Sequence, residues 1–412
     1  MRILILTDRF IPEISAPSFR LMDHAKCWRN EGHDVTVVTC APNAPRGEVF
    51  EGYKNRLYQE EWIDGVHVIR LWSYITANAG FAKRILDLAS FTASSVLQSC
   101  RFPKFDAILA SSPPLFVAMA GYMISMLWHK PWIFELRDLW PASIEAVGLG
   151  NKTPMKMLEK VELFLYRKAD RIISLTDAFR DNLTKRGIAP DKIDIVTNGV
   201  DTEMFDRERT KQDVREELGI GRDDFLVAYF GTTGMAHGLE TMLEAAQLCR
   251  ENSRMKFLIM GDGAERASLE ARSRELGLDR VIFRDSVPHE EMPDYFAALD
   301  MFLVHLKPHP VFETVIPSKI FEAMAMGTPI LCALEGEGAR IVAESGAGVC
   351  IPPGDPVKMA DTVMRLSEDP AGLKEMGQAG RRAAIEKYSR RLKAEECLRS
   401  FEKVLENKNP HG

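Results

Sequence analysis

Three segments carry residue types whose spacing suits chemistry on a phosphorylated ligand. The first is Gly231-Thr232-Thr233-Gly234-Met-Ala-His237-Gly238, which follows an apolar run and precedes a stretch of helical spacing. Glycines let backbone N–H groups approach an anion, and a helix N-terminus favours negative charge. The turn suits a diphosphate, although the same glycines also serve a plain tight βα turn. It is not G-x-G-x-x-G, which argues against a dinucleotide cofactor. The second segment is Val315-Ile-Pro317-Ser318-Lys319-Ile-Phe-Glu322. Pro317 and Ser318 suit a helix start, with Ser318 as cap or first-turn residue. Lys319 then falls in the first turn, where a cation is disfavoured unless an anion binds nearby, so it is a candidate phosphate ligand. Glu322, three residues on, shares that face and is a candidate acceptor for ribose hydroxyls. The plain alternative is a capped helix with a solvated Lys–Glu pair.

The third segment, Trp132-Ile-Phe-Glu135-Leu-Arg137-Asp138-Leu-Trp140-Pro141, gathers three charges at the end of an apolar strand. Open α/β sheets bind ligands at the carboxyl ends of their strands. Glu135 inside such a strand needs a partner. Arg137 is a candidate for that role, which would make a structural pair. Asp138, at the strand end, is better placed to act on a substrate hydroxyl. Metal signals are poor: no Asp-x-Asp occurs, and of the histidines only His305 and His309 are four apart, where Pro308 and Pro310 argue against a helix, so they read as loop or packing residues and no metal is expected. Neither a P-loop nor G-x-S-x-G is present.

The elements that must hold these segments are legible as apolar runs. Arg2–Thr7, Asp34–Thr39, Val66–Leu71, Ala107–Ser111, Trp132–Leu136, Arg171–Leu175 and Ile193–Val196 read as strands, with helical stretches such as Phe19–Glu31 between most of them. A second series runs through Phe225–Phe230, Lys256–Met260, Val281–Phe283, Met301–Val304 and Thr328–Ala333. The polar stretch Asn198–Asp224 separates the two series and reads as a hinge between two Rossmann-like domains. The expected division is 1–199 plus 388–412 as one domain and 200–387 as the other, the last helical stretch (about Arg390–Glu406) crossing back to the first.

The 412 residues, 46% hydrophobic and 27% charged, exclude a mainly disordered chain. The net charge of −6 argues against nucleic acid as a partner. That charge is uneven: residues 1–199 carry 25 Lys+Arg against 22 Asp+Glu, and residues 200–412 carry 28 against 37. Seven widely spaced cysteines without C-x-x-C make a disulfide framework or zinc site improbable and point to a cytoplasmic location. The apolar start is too short for a signal-peptide core, and the longest uncharged apolar stretch, Leu115–Trp128, falls below the ~18 residues of a spanning helix.

Taken in order, Gly32-His33-Asp-Val-Thr-Val-Val-Thr39, Asn198-Gly199-Val200-Asp201 with Phe205, the Gly231–Gly238 turn, Gly261-Asp-Gly263 and Phe321-Glu322-Ala-Met-Ala-Met-Gly327-Thr-Pro329 resemble glycosyltransferase family four. Arg137-Asp138-Leu139-Trp140-Pro141, His237-Gly238 and Val315-Ile316-Pro317-Ser318-Lys319 resemble its O-antigen and capsule branch, which transfers N-acetylated amino sugars such as N-acetyl-L-fucosamine. The resemblance implies a GT-B fold, with two Rossmann-like domains facing across a cleft. It also implies a UDP-sugar donor held by the C-terminal domain, no cofactor or metal, and retention of anomeric configuration. Gly231, Thr232, Thr233, Gly234, Gly263, Ser318, Lys319 and Glu322 become the expected donor-binding set. Thr233 or a neighbour stands near a family Arg, and His237 near a family Lys, so Lys319 is the main expected cation. The family's Glu-x7-Glu matches Glu322 at its second position; Thr314 holds the first, with Glu313 beside it.

Asp138, Lys319 and His237 are the expected catalytic residues, with Arg20, Glu135 and Arg137 on the acceptor side. Many relatives carry His where Arg137 stands; arginine stays protonated and is no general base. The expected reaction moves an N-acetylated amino sugar to a lipid-linked saccharide at the cytoplasmic membrane face. The rivals are a sugar-nucleotide 2-epimerase of the same fold and a non-catalytic sugar-nucleotide sensor. Phe81, Ile85, Leu88, Phe91 and Leu97, with Lys83 and Arg84, form an amphipathic stretch that suits either a membrane interface or an ordinary core-facing helix.

Overall fold

The computed structural model describes residues 1–44, 46–76, 81–139 and 152–408. The chain divides into two compact units, Met1–Thr197 with Arg390–Gly412, and Asn198–Ser389. The first holds an eight-stranded sheet of β1 (Arg2–Leu6), β2 (Asp34–Cys40), β3 (Tyr58–Ile63), β4 (Val66–Leu71), β5 (Ala107–Ser112), β6 (Trp132–Leu136), β7 (Arg171–Ser174) and β8 (Ile193–Ile195). Their order is β3-β4-β2-β1-β5-β6-β7-β8. Every pairing is parallel except β3 with β4. The strands read from sequence are nearly all buried, as a sheet covered on both faces requires. β3 escapes that reading because it alternates half-exposed and exposed residues at the sheet edge. Its signal is the Asp64-Gly65 turn, where both residues adopt positive φ, as a two-residue hairpin loop demands.

Helices flank this sheet. α1 (Ala16–Asn30) starts where the Ser15 side chain accepts from the Ser18 N–H. α2 (Phe81–Gln98), α3 (Leu115–Trp128) and α4 (Lys152–Lys168) follow. The C-terminal helix Arg390–Lys408 returns to this unit. There the Trp28 indole N–H donates to the Ala394 carbonyl at 2.8 Å and its ring meets Phe401 edge-on at 5.4 Å.

The second unit holds β9 (Phe225–Phe230), β10 (Met255–Met260), β11 (Val281–Arg284), β12 (Met301–His305), β13 (Ile330–Ala333) and β14 (Gly348–Cys350), all parallel. The order β11-β10-β9-β12-β13-β14 reverses direction between β9 and β12, which is the Rossmann arrangement. The stretch Asn198–Asp224 is not a linker, contrary to its polar composition. Val200, Phe205, Val214 and Ile220 are buried in this unit's core, and the Val200 N–H bonds the Tyr388 carbonyl. β14 was missed because it is three residues long and opens on a glycine.

All six tryptophans lie before residue 141, so tryptophan fluorescence reports the first unit alone. Phe401 is fully buried against Trp28. Phe401→Ala should cost about 3–5 kcal/mol, read as a lower urea midpoint of the fluorescence transition.

Candidate functional site

In a doubly wound sheet the ligand crevice opens where strand order reverses, beyond the carboxyl ends of the strands. In the second unit that place lies after β9 and β12. Two glycine turns meet beside it, backbone against backbone. A Cβ on Gly261 would lie 1.8 Å from the Gly231 carbonyl oxygen, and one on Gly263 would lie 2.6 Å from that of Thr233. The N–H groups of Gly231 and Thr233 donate to the carbonyls of Met260 and Asp262, each at 3.0 Å. The Gly263 N–H is taken by the Asp262 carboxylate at 2.7 Å, and Thr233 is fully buried. The amides of Gly231 and Thr233 therefore tie one turn to the other, and that of Gly263 is taken within its own turn. Among the described residues, the amides of Thr232, Gly234 and Met235 remain unengaged by the protein. The Thr232 carbonyl is fixed by the Tyr229 hydroxyl at 2.8 Å.

His237 lies in the same loop. Burial lowers its pKa from the ordinary ~6.5, so it offers a neutral imidazole and not a cation. Its carbonyl accepts from Nδ1 of His305 at 2.5 Å, and Nε2 of His305 accepts from the Gly354 N–H at 3.1 Å. A carbonyl cannot donate, so His305 is the neutral Nδ1–H tautomer, a state that its burial also favours. Buried and bonded at both ring nitrogens, it is a packing residue.

Lys307 was not singled out by sequence. It lies two residues past the end of β12, at the reversal point. Its N–H donates to the Ala236 carbonyl at 2.8 Å, and its side chain lies on Gly238, where a Cβ would stand 2.9 Å from its Cγ. Gly238 has φ +55, so glycine there serves both the turn and the lysine. The Lys307 ammonium is 4.0 Å from Glu265 and about half exposed. The overlooked signal was the rule already applied to Asp138: a charge at the end of an apolar strand.

The helix Lys319–Ala325 connects β12 to β13, so its first turn faces the same edge of the sheet. Ser318 is already helical, with φ −61, and its side chain caps nothing, so of the two expected positions it takes that of a first-turn residue. Lys319 donates to Glu322 at 2.7 Å, and Glu322 is only 6% exposed. The Lys–Glu pair thus exists, partly buried and not fully solvated. Glu313 is exposed, and its carbonyl is packed so close to Gly336 that a Cβ there would lie 2.0 Å away.

In the first unit the strand order reverses between β1 and β5. Glu135 is fully buried, and its partner is Arg20 rather than Arg137. Arg20 Nε reaches it at 3.0 Å and the Ser111 hydroxyl donates at 2.5 Å. Arg20 also donates to the carbonyls of Val196 and Thr197. The pair ties α1 to β6 and the end of β8, a structural role for both residues. Arg137 donates to the Pro113 carbonyl at 2.6 Å, and burial lowers its pKa. Asp8, just past β1, was also missed. Burial raises its pKa, Arg9 stands 3.8 Å away, and its Oδ1 is buried without a hydrogen-bond partner. Asp138 sits half-buried past the end of β6. Trp140 and Pro141 lie outside the described residues. Among those residues no cluster of three or more His, Cys, Asp or Glu is arranged to hold a metal ion.

Comparison with known proteins gives the family of both units. Residues 16–199 match the glycosyl transferase 4-like domain, and residues 210–383 match the glycosyl transferases group 1 domain. The chain belongs to the glycosyltransferases. The "Putative colanic acid biosynthesis glycosyl transferase WcaI" of Escherichia coli is 24% identical over 365 residues, covering 86% of this glycosyltransferase and 89% of that protein. Among solved structures, sucrose-phosphate synthase of Thermosynechococcus elongatus superposes with a TM-score of 0.78 at 18% identity, over 98% of this chain and 99% of that one. Anabaena Alr3699/HepE in complex with UDP-glucose gives 0.73 at 19% identity, over 98% and 100%. The fold of this glycosyltransferase is GT-B.

Two outcomes follow for the site. Gly261→Ala should cost about 3 kcal/mol or more, whereas Gly277→Ala, with open space at its Cβ, should cost about 1 kcal/mol from its positive φ alone; thermal denaturation of the two variants checks this. Burial also holds the pKa values of His24, His237 and His305 below the unfolded value. Protonation then favours the unfolded chain, and the stability these neutral rings contribute is lost as pH falls below about 6.5. The melting temperature of His305→Asn should fall less steeply between pH 7 and pH 5 than that of the parent.

Proposed function

We propose that this protein is a metal-independent, retaining glycosyltransferase. It would move an N-acetylated amino sugar from a UDP-sugar to a lipid-linked saccharide acceptor in surface polysaccharide synthesis. The observation that carries the donor side is the reversal point of the second sheet. There unengaged amides of the Gly231–Gly238 turn, the Lys307 ammonium and the first turn holding Lys319 share one edge. Cleavage of the bond to the diphosphate passes through an oxocarbenium-like state while negative charge builds on the leaving group. Lys307, Lys319 and the loop amides stabilise that charge, and neutral His237 donates a hydrogen bond to it. Glu322 accepts from the ribose and holds Lys319 in place. Retention fits same-face attack, with the leaving phosphate taking the acceptor proton. On the acceptor side Asp138 orients the attacking hydroxyl, and Arg137 with Asp8 shapes the charge around it. WcaI, named for colanic acid biosynthesis, supports the polysaccharide assignment, and HepE, solved with UDP-glucose, supports the donor.

Titration calorimetry with UDP tests the donor site. Lys307→Ala and Lys319→Ala should each weaken UDP binding about tenfold, the loss of one charge-assisted contact. Asp138→Asn should lower the transfer rate at unchanged UDP affinity. Unchanged UDP affinity in both lysine variants would overturn the phosphate assignment. Interconversion of the sugar nucleotide without any acceptor would point instead to an epimerase.

A further inference from the structure

We propose that Cys350 and Cys332 form a reversible thiol–disulfide pair, in which Cys350 reacts with small disulfides and Cys332 resolves the product, and that closing the pair loosens the candidate donor turn. All seven cysteines are free. Among the described residues only these two are register partners, on the parallel neighbours β13 and β14. Their side chains share one face of the sheet. Leu331 and Val349, the pair before them, both pack into the core on one side, whereas Ile330 and Cys332 pack into the core on the other. Alternation along β14 then turns Cys350 to the side of Cys332. Neighbouring strands run about 4.8 Å apart, within the ~4.4–6.8 Å between Cα atoms that a disulfide accepts.

The two thiols differ in access. Cys332 is fully buried, while Cys350 is exposed on the last strand of the sheet. The Cys350 thiol donates to the Ala339 carbonyl of the helix Glu337–Ser345 at 3.4 Å. Cys332 in turn hydrogen-bonds the Cys350 sulfur and pushes its pKa down to about 7, toward the nucleophilic thiolate. Burial pushes the thiols of Cys27, Cys40, Cys249 and Cys397 the other way. The Cys350 thiolate attacks one sulfur of a small disulfide, giving a mixed disulfide and one free thiolate, which takes up the proton that Cys350 released. Cys332 then attacks the Cys350 sulfur, and the second small thiol leaves with the Cys332 proton. The pair loses two electrons, and the small disulfide is reduced to two thiols.

Closure brings the sulfurs from hydrogen-bond contact to covalent distance. Cys332 is held between fully buried Leu331 and Ala333, so the displacement falls on the three-residue edge strand β14. Four residues beyond Cys350, the Gly354 N–H donates to Nε2 of His305 at 3.1 Å, and Nδ1 of His305 donates to the His237 carbonyl in the glycine turn. A shift of β14 therefore reaches that turn through one imidazole.

The last step rests on the donor reading; the link and the imidazole are read without nucleotide. After incubation with glutathione disulfide the full-length protein should be two hydrogens lighter, with the Cys332 and Cys350 peptides joined. Cys332→Ser should instead retain one glutathione on Cys350, and Cys350→Ser should show neither product. The ring resonances of His305, assigned by their loss in His305→Asn, should shift on oxidation of the parent and not of Cys350→Ser. UDP affinity should fall about fivefold in the linked protein, the loss of about one hydrogen bond, and return with dithiothreitol. Reduced protein that binds no UDP would count against the donor reading alone. Should buried Cys332→Ser misfold, the exposed Cys350→Ser variant still decides. The proposal is overturned if no Cys332–Cys350 link forms, if the His305 resonances of the linked protein stay in place, or if linked and reduced protein bind UDP with the same measurable affinity.

Discussion

The donor side rests on one steric constraint: the carbonyl of Gly231 occupies the space in which any side chain at position 261 would have to sit. The two βα turns pack backbone to backbone here because positions 261 and 263 carry no Cβ. The hydrogen bonds from Gly231 to Met260 and from Thr233 to Asp262 lock that contact. With the two turns fixed, Ala236 is placed to receive the Lys307 amide, and Gly238 lies flat enough for the lysine chain to cross it. The glycines thus act one step away from the ligand. They set the position of the groups that would touch it.

Much of this was legible in sequence. Parallel strands buried on both faces appear as continuous apolar runs, and β1 through β13 are legible that way except for edge strand β3. The glycine turns and the Ser318–Glu322 segment were found because their spacing is local. What stayed hidden depends on the order of strands in space. Glu135 takes Arg20, 115 positions away, in preference to its near neighbour Arg137. Asp8 and Lys307 gain meaning only because β1 and β12 border a reversal of strand order. The stretch Asn198–Asp224 looks like a linker because its apolar residues are sparse and follow no sustained period, yet Val200, Phe205, Val214 and Ile220 are buried, with Met204 and Leu218 packed against them.

The uneven charge takes on a local sense. The C-terminal half is acidic, yet the two lysines of the candidate donor site each already stand near a carboxylate, Lys307 near Glu265 and Lys319 against Glu322. A diphosphate arriving there enters an exchange of partners, and its net gain is the difference between two charge-assisted contacts. This favours a ligand with enough oxygens to satisfy the lysines while the carboxylates find hydroxyls. A nucleoside diphosphate with its ribose has both.

The return of the C-terminal helix to the first unit bears on how the protein is made. Trp28 sits near the beginning of the chain, but its hydrogen-bond acceptor, Ala394, and its ring partner, Phe401, are near the end. Domains emerging from a ribosome ordinarily fold in order from the N-terminus. Here the second unit is contiguous and has all its core residues before the first is complete. The first-made unit must therefore wait, with the surface around Trp28 uncovered, until Ala394 and Phe401 have been made. During that interval α1 is the part of the molecule most in need of a chaperone.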